Sequence, residues 1–130
     1  MIVRPATVGD FVAFLGTVPP WRCRAWVGEV GGHIVGMGGV SYPPHAVAPI
    51  VWADLTDAAR RNAVSLHRHA LAFLKTLDHS RLLCMADSEI EAAPRWLRRL
   101  GFTPTGIVSD DGEAFIYDRH HHAHLHRDVA

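Results

Sequence analysis

The sequence predicts an α/β (α+β) fold: a mixed, mostly antiparallel sheet of about six to seven strands flanked by helices. Three observations predict it. Short apolar or β-branched blocks recur along the chain, two stretches repeat apolar residues every three or four positions, and Gly-Gly and Asp-Gly turns join neighbouring blocks. The resulting order is β-α-β-β-β-α-β-α-β-β, a meander feeding two strand–helix units.

In chain order, Ile2–Arg4 is a strand closed by Pro5. Thr7 is placed to cap a helix through Asp10–Leu15, with Gly16 as its stop. Ala25–Val30 and His33–Val40 form a hairpin across Gly31-Gly32. The glycines Gly36, Gly38 and Gly39 keep the return strand small, so that another backbone or a ligand can approach it. Ala48–Leu55 is a further strand. From Ala58 to Leu77, Ala59, Ala63, Leu66, Ala70, Phe73, Leu74 and Leu77 share one face of a single long helix. Leu82–Ala86 reads as a buried central strand. Ser88 with Glu91 has the capping-box spacing for a helix running to Leu100, ended by Gly101. Thr105–Val108 and Ala114–Tyr117 pair across Asp110-Asp111-Gly112.

A chain of 130 residues suits one domain with its own core, expected over residues 1–118, with a His-rich tail over 119–130. Thirteen Lys+Arg balance thirteen Asp+Glu, so no overall positive field favours nucleic acid or an anionic membrane. Cys23 and Cys84 lie in apolar stretches and read as small buried hydrophobes rather than a disulfide. No apolar run approaches the ~18 residues of a membrane span, and the N-terminus has no apolar signal core, so a cytoplasmic location is expected.

Chemistry concentrates at the junction from Trp52 to Leu66. There a strand ends in Asp54 and a turn leads into a helix carrying Arg60, Arg61, Asn62, Ala63, Val64 and Ser65. A helix start exposes unpaired N–H groups and partial positive charge, which suits phosphate or pyrophosphate. Ala63 and Ser65 are small enough to let such a ligand reach the backbone, and Arg60 and Arg61 add charge.

On these residues the chain resembles the GNAT superfamily of N-acetyltransferases. That family's pyrophosphate loop, Arg/Gln-x-x-Gly-x-Gly/Ala, is similar to Arg60-Arg61-Asn62-Ala63-Val64-Ser65. Val3–Thr7 with Asp10, Val27–Val30 with Val35–Gly38, and Ala93 with Leu97–Phe102 resemble its opening strand and helix, its second and third strands, and its fourth helix. The resemblance implies a GNAT-like sheet, acetyl-CoA or another acyl-CoA as acyl donor, and a small-molecule or peptide amine as acceptor. It implies a base near the end of the fourth strand, here Asp54, with Glu29 and His45 as weaker choices. The family tyrosine that protonates the leaving thiolate is matched by Leu97, the loop glycine by Ala63, and the usual two-helix lid by about twenty residues. Those departures define the alternative: a catalytically inactive GNAT-fold binding or structural protein.

No metal site is expected. His67 and His69 point away from each other on a helix, and the tail from His120 to His126 carries no Cys or carboxylate at ligand spacing. Trp21, Trp26, Trp52 and Trp96 read as core or interface. Together with Pro19-Pro20 and Pro43-Pro44 they suggest an apolar rim, suited to a homodimer contact or a substrate groove.

Overall fold

The structure, a computed structural model, describes residues 1–118, so the His-rich tail lies outside the described residues. The described residues divide into two compact units, Met1–Thr76 and a second that begins at Leu77.

The first unit holds β1 (Ile2–Pro5), α1 (Val8–Leu15), β2 (Cys23–Val30), β3 (His33–Ser41), β4 (Ile50–Leu55), α2 (Asp57–Arg60) and α3 (Ala63–Lys75). Its four strands lie in sequence order and each neighbouring pair is antiparallel. The turn between β2 and β3 needs two residues at positive φ, and Gly31 (59°) and Gly32 (80°) supply them.

One face of this sheet packs on α1. Phe11, Val27 and Met37 are buried together, with Phe14, Leu15, Ala25 and Trp52 against them. The Phe11 and Trp52 ring centroids stand 5.9 Å apart. Met37 is fully buried, and truncating such a side chain costs about 2–5 kcal/mol. The other face carries Arg24 and Trp26. The Arg24 guanidinium lies 5.3 Å from the Phe73 ring of α3. The Trp26 indole covers Gly38, where an added Cβ would sit 2.7 Å from Cε2. Leu55 covers Gly36, and the β2 backbone lies against Gly39. The small residues of β3 therefore admit the chain's own side chains and backbone.

α1 is held by polar groups at its start. Thr7 accepts from the Asp10 N–H, and Asp10 accepts from the Thr7 N–H at 2.7 Å, completing the capping box. Gly16 closes the helix in the left-handed conformation. Asp10 is buried and takes both Arg4 terminal nitrogens, at 2.7 and 2.9 Å, while Arg4 Nε donates to Glu29 at 2.9 Å. One guanidinium thus joins β1, α1 and β2. A single eight-residue helix lies between β1 and β2, in line with the short lid expected.

The second unit holds β5 (Arg81–Asp87), α4 (Ala93–Leu100), β6 (Thr103–Ser109) and β7 (Gly112–Asp118), with β7 paired antiparallel to both other strands. β5 buries Leu82, Cys84 and Ala86 but exposes Met85, so the expected all-buried strand instead alternates. Cys84 is a free thiol pushed up to about 12 by burial, and Cys23 is also free. α4 begins at Ala93, later than the Ser88–Glu91 capping box predicts. The Asp87 carboxylate accepts from the Glu89 N–H at 2.9 Å and sets a turn there, and Pro94 then stands in the first turn of the helix. Gly112 closes the last hairpin at φ 131°, with Ala86 Cα–C=O carbon 2.9 Å from where a Cβ would lie.

Arg4 first, and then the Thr7 N–H, hold the Asp10 carboxyl below the usual carboxylate range. Its stabilising contribution is therefore complete above the unfolded value near ~3.9 and lost as pH falls through the lower folded value. Asp10→Asn should cost about 2 kcal/mol at pH 7, with the gap to the parent closing below about pH 4. Urea melts of both proteins across pH 7 to 2.5 measure this; a gap independent of pH contradicts it.

Candidate functional site

The junction after β4 is fixed from the sheet. Gly28 pairs with Gly36 and Glu29 with Ile34, so Val35 is an extra residue bulged out of the β2–β3 ladder. The carbonyl of Val35 turns to Thr56. It accepts the Thr56 N–H at 3.0 Å and the Thr56 Oγ1–H at 2.6 Å. Thr56 in turn caps α2 by accepting the Ala59 N–H. Sequence reasoning missed both Val35 and Thr56; the only signal for Thr56 was its cap-forming residue type ahead of a helical pattern.

The expected single helix from Ala58 to Leu77 is interrupted. α2 is one turn long and ends at Arg60, Arg61 and Asn62 form a turn, and α3 starts at Ala63. Asn62 (φ −102°, ψ 39°) breaks the helical path and makes no side-chain cap to α3. Its amide instead donates backwards to the Ala58 carbonyl at 2.9 Å. The first bond of α3 runs from the Leu66 N–H to the Asn62 carbonyl. The N–H groups of Ala63, Val64 and Ser65 precede that bond, and the side chain best placed to accept from them is turned away. Ala63 and Val64 are exposed, Val64 by 70%.

The structure brings five of the six predicted loop residues to this helix start, with Arg60 just before it. Arg60 is held by Asp57 at 3.0 Å on the surface. Arg61 is exposed, and no carboxylate pairs with it among the described residues. Ala63 stands at the position matched to the family's loop glycine. Among the described residues no non-glycine residue has positive φ, so the loop makes no left-handed demand at Ala63.

Asp54 lies opposite Met37 in register and is exposed near the end of β4. It shares a sheet face with Trp52, two residues before it. The Trp52 Nε1 atom is buried with no acceptor among the described residues. Glu29 is engaged by Arg4, and His45 lies in the exposed loop between β3 and β4, so neither stands with Asp54 as a base. Leu97 is buried on α4 at 5% exposure, so the position matched to the family tyrosine is a packing position in the second unit.

Comparison by sequence finds no matching family model and no matching curated protein. Comparison by structure finds clear likenesses. An N-acetyltransferase from Staphylococcus aureus Mu50 superposes with TM-score 0.68 at 16% identity, over 90% of this chain and 97% of that one. An acetyltransferase of the GNAT family from Streptococcus pneumoniae gives TM-score 0.63 at 12% identity, over 88% and 95%. A chimeric spermidine N-acetyltransferase from Vibrio cholerae gives 0.64 at 8% identity, over 95% and 99%. The fold is that of the GNAT acetyltransferases. No helix among the described residues is long and apolar enough to cross a membrane.

Thr56→Val removes the hydroxyl that both holds Val35 and caps α2. It should destabilise the protein by about 1–2 kcal/mol and speed hydrogen exchange at Ala59 and Arg60 more than in β2. Uniform exchange rates across the first unit would show that the clamp does not set the junction.

Proposed function

We propose that the protein is an N-acyltransferase that takes acetyl-CoA, or a related acyl-CoA, and transfers the acyl group to an amine. The observation that carries this reading is the uncapped start of α3, in a chain with the GNAT fold. Asn62 turns its amide to Ala58, so the N–H groups of Ala63, Val64 and Ser65 stand open to an acceptor from outside. Pyrophosphate oxygens are such acceptors, and the positive end of α3 favours their charge. Arg61 is the nearer source of further charge. Arg60 assists after exchanging Asp57 for phosphate. The neighbours described as an N-acetyltransferase and a spermidine N-acetyltransferase act on amines, which supports an amine acceptor here, either a small molecule or a peptide.

The chemistry needs two protons removed from the acceptor nitrogen and one bond exchanged. Asp54 takes a proton from the acceptor ammonium, directly or through water. The free amine attacks the thioester carbonyl carbon and the C–N bond forms; the adduct nitrogen gives its second proton to water or to the departing sulfur, and the C–S bond breaks with its electron pair leaving on sulfur. Leu97 has no proton to give, so the thiolate leaves unprotonated or takes its proton from water or the adduct nitrogen. A thiolate is a stable enough leaving group for this to proceed with a slower step rather than none.

Calorimetry with acetyl-CoA tests the reading. Binding is expected, weakened roughly tenfold by Arg61→Ala through loss of a charge-assisted contact. Asp54→Asn should bind as the parent does and lose roughly a hundredfold in turnover of an amine. No heat at millimolar acetyl-CoA would overturn the proposal.

A further inference from the structure

The outer face of α3 carries a second pattern that runs on from its open start. From Ala58 to Leu77 there is no Asp or Glu. A solvated helix ordinarily mixes the two signs along its surface. Within α3, Arg68 and Lys75 stand seven residues apart, and Val64 and Leu71 recur with the same period; Arg61 lies in the turn just before the helix. A seven-residue repeat of this kind lines one strip of a helix. The burial of α3 agrees: Leu66, Ala70 and Leu74 face inward, while Val64, Arg68 and Lys75 are exposed and Leu71 is half-buried. None of the three cations has a carboxylate partner among the described residues.

We propose that this strip docks an acidic amphipathic helix of a partner protein. Charge complementarity selects the sign of the partner. The spacing selects its form. Arg68 and Lys75 are about 10.5 Å apart along the axis at 1.5 Å per residue, the interval between carboxylates one heptad apart on a facing helix. Val64 and Leu71 offer that helix apolar contact between the charges, as helix–helix seams require. A nucleic-acid duplex carries one charge per about 1.7 Å, far denser than this strip, and has no use for an exposed valine and a half-buried leucine on a phosphate-facing surface. This surface goes beyond the acyl-transfer reading and does not depend on it.

The test uses the full chain and a synthetic three-heptad helical peptide with Glu and Leu at matching positions. The peptide should bind, more weakly as salt rises from 50 to 300 mM. Arg68→Glu with Lys75→Glu should weaken binding roughly tenfold or more, from the loss of two attractive pairs and the gain of two repulsive ones. Neither residue belongs to the proposed pyrophosphate site, so the double variant should keep the parent's melting temperature and acetyl-CoA affinity. A Glu→Lys version of the peptide should not bind. Absence of binding to the acidic peptide, equal binding by the double variant, or tighter binding of a duplex RNA through the same residues would each overturn the proposal.

Discussion

The carbonyl of Val35 organises the part of this protein on which any chemistry depends. It lies one rung beyond the Gly36–Leu55 pair of the β3–β4 ladder and accepts both the N–H and the hydroxyl of Thr56. This fixes where β4 stops and where α2 starts. α2 can extend for only one turn before Asn62 leaves the helical path, and α3 restarts with its first donors uncapped. A rigid sheet thus determines the position of a helix start several residues further along. Sites placed by regular elements in this way are held more tightly than sites placed by loops alone.

The same economy appears in α1. Its one buried polar residue, Asp10, is turned inward to Arg4, and Val8 and Val12 face solvent. The helix is held by a charge network at its start and by Phe11 beneath it. One helix, α1, lies between β1 and β2.

Where local chemistry decides structure, the sequence was legible. Thr7, Asp10 and Gly16 marked both ends of α1, and Gly31-Gly32 marked the hairpin, because each of these residues acts within a few positions of itself. The site was legible in its residues but not in its geometry. Ala59 and Leu66 lie seven apart, so the apolar period keeps phase across the break and reports one continuous helix. The break comes from the Thr56 anchor and from the Asn62 amide bonding to Ala58, the first a contact between residues 21 apart in sequence. The bulge at Val35 left no mark among neighbouring glycines. Ser88 and Glu91 had the spacing of a capping box, but Asp87 captured the turn first.

The central claim is that the open N–H groups of α3 receive the pyrophosphate of an acyl-CoA. Amide chemical-shift mapping during titration with acetyl-CoA addresses it at single residues. The largest shifts are expected at the amides of Ala63, Val64 and Ser65, moving in the direction of new hydrogen bonds, with those of β2 nearly still. Saturable binding that leaves these three amides unmoved while shifting others would contradict the account.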